Sequence, residues 1–255
     1  MYFGHSPEIK KQFPRIVSGA IFVDAIHPAV DAEPYLNPWY QNARSRLKAQ
    51  TESQMPEISA WRKAYSQMGL KPTKYRSAAE ALLRRFRRED DLPRLHPLVD
   101  FCNALSLAFA IPVAAFDLDR VAEYIEVRHA KGTEQHLAFG GKMEHPSPDE
   151  VILCDALEHA HGRRWTFRQS WQSIVTPETK KVLVLSEAMH ESADVYVPVL
   201  MDKLAEGMVP QPIMHSHVMF VKATVHPQAL DRRLLHRSAY AATKLAIDDA
   251  FAEGK

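Results

Sequence analysis

The sequence is short of the motifs that mark the commonest enzyme chemistries. It has no glycine-rich phosphate loop, no Gly-x-Ser-x-Gly elbow, no His-Glu-x-x-His and no Cys-x-x-Cys. The local signatures of nucleotide cradles, serine hydrolases, zinc peptidases and dithiol redox proteins are therefore missing. Cysteine is scarce: Cys102 and Cys154 both lie in apolar runs, and they read as buried thiols of a reducing compartment rather than a disulfide framework. No run approaches the ~18 apolar residues needed to span a bilayer. The first thirteen residues lack the apolar stretch of a secretory signal. The expected setting is the cytoplasm, with no membrane partner. Excess charge is lacking too, with 32 basic residues against 31 acidic. That balance excludes a chain coated in positive charge for bulk nucleic-acid binding, but it leaves room for a local basic patch. No internal repeat and no low-complexity tract interrupts the chain.

What is present suffices for a sizeable core: 46% of the 255 residues are hydrophobic. Thirteen histidines imply that polyanion binding strengthens below about pH 6.5. The β-branched segment Ile16–Ile26 predicts an early strand, and the prolines between Pro28 and Pro38 predict a loop. Residues 40–67 read as one helix, with Arg44, Arg46 and Lys48 solvated and with Trp61 and Tyr65 on one side. Ser77 with Glu80 forms a capping-box signature ahead of the helix 78–90. Leu82, Leu83 and Phe86 make the apolar stripe of that helix, and Arg84, Arg85, Arg87 and Arg88 face water. A helix over Leu98–Phe109 follows, with strands at Tyr124–His129, Val151–Cys154 and Lys181–Ser186 and a hairpin turn at Gly140-Gly141. The last region predicts a helix over Ser192–Glu206, a strand over Met214–Ala223 and a helix over Gln228–Ala252. Without strict strand–helix alternation the fold class is α+β. A single domain over 1–255 is expected, with a core at 71–189 and with 1–70 and 190–255 packed on it.

Several clusters are candidates for chemistry. His159/His161 and His215/His217 each place two imidazoles on one side of an extended strand; this is either a metal site or a pair of histidines at a sheet edge. No carboxylate is paired with them in ligand spacing, so neither metal nor other cofactor is expected. The run Arg84–Arg88 is either a phosphate-docking face or a solvated helix face beside Glu89 and Asp90. Arg163, Arg164 and Arg168 are interleaved with Trp165, Phe167 and Trp171. That pattern suits either an RNA end, stacked and clamped, or a strand with one buried aromatic face.

Five segments in order carry more weight. They are KYRSAAEALLRR (74–85), LPRLHPLVDFCNALSL (92–107), IPVAAFDLDRV (111–121), HGRRWTFRQS (161–170) and TPETKKVLVLSEAM (176–189). Together they resemble the B3/B4 domain, the editing domain of the phenylalanyl-tRNA synthetase β subunit, and more closely its freestanding relatives. The resemblance implies a mixed sheet flanked by helices and a trans-editing deacylase that hydrolyses the ester of a tRNA carrying a non-cognate amino acid. One freestanding relative acts on canavanyl-tRNA(Arg), which makes an arginine mimic a candidate substrate here. Asn103 matches an asparagine of the editing pocket, whereas Cys102 and Ala114 stand where that pocket has threonine and histidine. Arg163-Arg164-Trp165 occupy the place of a Gly-Gly-Glu segment.

On this basis Asn103 and Ser77 are assigned to the scissile ester, and Tyr75 and Arg76 to the entrance. Arg163 and Arg164, with Trp165 beside them, are assigned to the terminal phosphates or the substrate carboxyl side. Arg84, Arg85, Arg87, Arg88 and Arg168 are assigned to the tRNA. A guanidinium-like amino acid requires a buried acid, for which Glu80, Asp100 and Glu187 are candidates. Asp117 and Asp119 read as turn and cap residues. The competing readings are a module that binds an aminoacyl or tRNA end without cleaving it, and a metal-dependent hydrolase built on the His-x-His pairs.

Overall fold

The alternation of apolar residues along the long strands produces a sheet with two buried faces. The computed structural model describes residues 1–24, 26, 28 and 31–208, and the backbone of 219–221. In chain order the elements begin with β1 (Tyr2–His5), α1 (Pro7–Gln12), β2 (Val17–Asp24), α2 (Glu33–Ala49), α3 (Pro56–Gln67), α4 (Ala78–Glu89) and α5 (Pro97–Phe109). There follow β3 (Val113–Asp117), β4 (Tyr124–His129), β5 (His136–Leu137), β6 (Met143–Glu144), β7 (Val151–Cys154) and β8 (Ala160–Arg163). The last are β9 (Arg168–Gln169), β10 (Lys181–Ala188), α6 (Ala193–Met208) and β11 (Met219–Val221). The class is α+β, as the sequence implied.

An antiparallel sheet of order β11-β2-β10-β3 forms the middle layer. On β10, Val182 and Val184 join the core shared with α2, α4, α5 and α6, whereas Leu183 and Leu185 face the opposite way. Their side meets a second sheet of order β1-β4-β7-β8-β9, in which β1 runs parallel to β4. Ile21 and Val23 of β2, and Val113 and Ala115 of β3, repeat the alternation towards the helices; Ala20 and Phe116 repeat it towards the other sheet. Each fully buried aliphatic side chain here contributes about 1.5–3 kcal/mol. No helix among the described residues is long and apolar enough to cross a membrane.

Two local expectations are corrected, and one strand is added. The proline-rich stretch is already helical from Glu33: Pro34 sits in the first turn, where its missing N–H costs nothing, and Pro38 is accommodated inside the helix. Residues 40–67 are two helices. A short 3-10 turn at Glu52–Gln54, closed by a Thr51/Gln54 capping box, and Pro56 at the start of α3 separate them. Val113–Asp117, given no element from sequence, is strand β3. By contrast α4, β4, β7 and β10 lie where expected, and β5 and β6 pair across Gly140-Gly141, which adopt φ of +100° and +85°. Asp117 caps the 3-10 turn Leu118–Arg120. The expected helix over 228–252 and the His215/His217 pair lie outside the described residues.

Candidate nucleic-acid interface

The segment 161–170 folds back on itself as the β8–β9 hairpin, turning over residues 164–167. Arg164 and Trp165 adopt φ of +45° and +58°, a left-handed conformation that is costly without glycine and therefore held by its surroundings. Trp165 N donates to Val151 O at 2.7 Å, and Ala78 N donates to Thr166 O at 2.8 Å. The second bond ties the hairpin tip to the first turn of α4. Tyr65 Oη lies 3.2 Å from Thr166 Oγ1.

Around that tie the chain collects rings and cations at the surface. The Arg164 guanidinium lies over the Tyr75 ring at 4.7 Å and over the Phe167 ring at 5.7 Å. Arg168 lies over the other ring, Phe167, at 5.7 Å, and the Lys74 ammonium is 5.3 Å from the Tyr75 centroid. Tyr75 and Phe167 meet edge to face at 5.4 Å. Two half-buried rings thus hold three cations in place. The pairing suits a nucleotide end, because bases stack on rings and guanidiniums while phosphates meet the charges. Sequence reasoning named Tyr75, Arg164 and Arg168 and passed over Lys74. Phe167 was noticed only as an interleaved ring; its signal was a position two residues beyond Trp165, on the other side of a turn.

The inward half of the hairpin is different. Arg163 is only 6% exposed. Its Nε and Nη2 donate to Glu150 at 2.8 and 2.9 Å, and its Nη1 donates to Glu144 at 2.7 Å. Burial works to raise the Glu150 pKa, but the Arg163 bonds outweigh it and hold the carboxyl below its ordinary value. Trp165 is buried edge-on against Trp61 and Phe13, and its Nε1 donates to Glu187 Oε2 at 2.8 Å. Glu187 Oε1 also accepts from His5 at 2.5 Å and from Ser18 at 3.1 Å. His5 stands 182 residues away, and no local pattern could have announced it.

His159 and His161 converge on one acid. Asp155 Oδ2 accepts from His161 Nε2 at 3.1 Å, and His159 Nδ1 lies 3.3 Å from the same oxygen; His161 Nδ1 is hydrogen-bonded to Ser173 Oγ at 2.8 Å. Burial opposes ionisation of Asp155, yet the bonds from His161 and from the amides of His159 and Ala122 keep its carboxyl well below the usual range. This Asp–His–Ser relay is sealed inside the protein. Among the described residues no group of three or more His, Cys, Asp and Glu is arranged to hold a metal ion.

The other sequence-derived residues fall into distinct settings. Ser77 is 0% exposed and caps α4, its Oγ accepting from Glu80 N at 3.3 Å. The Glu80 carboxylate turns to Arg62, at 2.8 Å, and to Arg76, at 3.6 Å. Its Oε2 is buried without a hydrogen bond, and burial raises its pKa despite Arg62. Asp100, also buried and also raised by burial, accepts from Leu95 N at 2.9 Å. Asn103 lies three residues further along α5, half-buried and neighbouring Asp100 on the helix surface. Arg84 and Arg87 both meet buried Glu52, at 2.9 and 3.0 Å. Among the described residues, Arg85 and Arg88 meet the exposed Glu89 alone. Both cysteines are buried free thiols, pushed up to about 12 by burial. The thiolate needed for nucleophilic work is thereby suppressed.

Comparison with known proteins bears on this geometry. The family model for the B3/4 domain matches residues 60–194, more than half of the chain and inclusive of the hairpin, α4 and α5. Among solved structures, one match is an N-terminal fragment of the phenylalanyl-tRNA synthetase beta-subunit from Pyrococcus horikoshii, at 12% identity and a TM-score of 0.44. It covers 86% of this chain, which spans 50% of that fragment. No match was found among curated proteins. The chain belongs to the B3/4 domain family.

Proposed function

We propose that this protein hydrolyses the ester of a mischarged aminoacyl-tRNA, acting in trans. The observation that carries the reading is the cation–aromatic cluster of Tyr75, Phe167, Arg164, Arg168 and Lys74 on a B3/4 domain. It supplies what the unpaired end of an RNA requires. Helix α4, with the cluster at its first turn, packs directly on α5, which offers Asn103 and Asp100.

An aminoacyl ester is already activated, so the protein needs only to place a water and stabilise the oxyanion. Water oxygen adds to the ester carbonyl carbon, the bond to the ribose oxygen breaks, and that oxygen leaves with a proton. The free amino acid and an unacylated tRNA are the products. The Asn103 side chain makes no hydrogen bond to another described residue, which leaves its amide free to donate to the carbonyl oxygen. Ser77, with no exposed surface, is kept to a positioning role at the cap. Of the three candidate acids, Glu80 is matched by arginines and Glu187 by His5, Ser18 and Trp165. The Asp100 carboxylate accepts from a backbone donor, Leu95 N, and a cationic amino acid such as an arginine mimic suits it best.

The test is release of amino acid from a panel of mischarged tRNAs, canavanyl-, arginyl- and tyrosyl-tRNA included, with chelator present. Rapid release from one non-cognate member is expected, together with a loss of about a hundredfold in kcat for Asn103→Ala. Wild-type rates in that variant, with the fold intact, remove Asn103 from the chemistry. A second reading, a module that binds the end of tRNA without cleaving it, draws on the sealing of Ser77. Protection of the ester rather than its loss supports that alternative.

A further inference from the structure

A groove runs between α3 and the segment that leads into α4. Its walls are Ser53, Ser59, Arg62, Lys63, Ser66 and Thr73, with Pro72. The lining is hydroxyls, cations and one proline, with no acid and no large apolar side chain. Ser66 spends its proton on the Arg62 carbonyl at 3.1 Å, so Ser59, Thr73 and the two cations are left to donate.

The acids of this face are beneath it. Glu80, fully buried, is shared by Arg62 and Arg76, and Glu52, 2% exposed, is shared by Arg84 and Arg87. Each buried carboxylate serves two guanidiniums, so each trio carries a net positive charge with the positive side outward. The four arginine side chains remain 28–41% exposed. An arginine already held by an acid loses less freedom on meeting a ligand than a free one does. A groove meant for a protein partner is centred on aromatic and other large apolar side chains, and the described lining of this one offers only Pro72 and the carbon stems of its polar residues. Hydroxyl donors, cations held from below and no acid among the described lining residues match the phosphodiester backbone of a nucleic acid.

The groove also continues into the cluster described above. Thr73 lines the groove and Tyr75 carries the cluster, so two residues of chain, at most about 7 Å, separate them. We infer that the groove between α3 and the 72–76 segment holds the sugar–phosphate backbone of the RNA whose end lies on Tyr75 and Phe167. The inference rests on the reading above that the partner is tRNA, and it names the residues that grip the strand away from the ester.

Lys63 and Ser66 are exposed on α3 and outside both cores. The test therefore uses Lys63→Glu combined with Ser66→Glu in the full chain, with Lys63→Arg as the conservative control. Equilibrium binding of tRNA is measured over a range of salt concentrations. Deacylation is measured on mischarged tRNA and on the same amino acid esterified to adenosine, which has no backbone to grip. The double variant is expected to bind tRNA about tenfold more weakly, with a salt slope lower by about one. KM on tRNA rises to match, while turnover of the adenosine ester is unchanged and Lys63→Arg behaves as wild type. Unchanged tRNA affinity and salt slope overturn the groove and leave the hydrolytic reading standing. Weakened binding by the double variant of a protein that releases no amino acid supports the groove and removes the hydrolytic reading.

Discussion

One hairpin supplies two unlike regions from adjacent residues. His161, Arg163 and Trp165 point inward and are consumed by Asp155, Glu150 and Glu187. Arg164, Phe167 and Arg168 point outward and gather with Tyr75. The residue types are nearly the same on the two sides, yet the inward set is held by short bonds to buried acids, whereas Arg164 and Arg168 reach the same Glu150 and Glu144 only at 3.6 Å and keep their guanidiniums against the outer rings. The alternation of the strand, with the turn at Arg164 and Trp165, makes the division. Residue identity alone does not reveal which arginine is available.

The sharpest way to break this comparison is to remove the inner arginine. Arg163→Met leaves buried Glu150 with only the Arg164 backbone N–H at 3.2 Å and the Arg164 guanidinium at 3.6 Å, and a stability loss of about 3 kcal/mol is expected in urea denaturation. Adding Glu150→Leu should recover much of it, because the pair is replaced by apolar contact instead of being broken. A single variant as stable as wild type would place Arg163 with the outer set. Asp155→Asn comes next, at about 2–3 kcal/mol near neutrality, through weakened bonds to His161 and the amides of Ala122, Leu157 and His159. The folded carboxyl titrates below its unfolded value, so its contribution is present above about pH 4 and is lost as the pH falls through the folded value. The gap between wild type and Asp155→Asn should therefore narrow in acid; a constant gap from pH 7 to pH 3 refutes the assignment. Smallest in stability is Arg164→Ala, expected within about 1 kcal/mol of wild type. Its effect belongs in tRNA affinity, about tenfold weaker with unchanged folding. A variant that destabilises the protein and spares binding would reverse the comparison.

Much of the architecture was legible because local rules agreed. Ser77 before a striped helix gave α4 and its cap, and the apolar run Lys181–Ser186 gave the central strand β10. The break after α2 was written in Thr51, Gln54 and Pro56, but a continuous amphipathic pattern overrode that signal. Strand β1 left no trace, since four residues beside α1 are too few for a periodicity. The site was legible as a set of residue types rather than as an arrangement. Tyr75, Arg164 and Arg168 come together as a cluster, whereas Glu187 is engaged by partners on β1, β2 and the hairpin that lie far apart in sequence. Burial and pairing depend on those distant contacts.

The strand pairings also set an order of events for a chain leaving the ribosome. β1 has to wait for β4, and β2, whose partners are β10 and β11, for residues 181–188 or later. His5 cannot meet its carboxylate until Glu187 has been made. Such long-range closure is slow, and unpaired edges stand open in the meantime. Translation halted before β10 would leave β2 and β3 without the strand that joins them. Those nascent fragments are natural clients for chaperones.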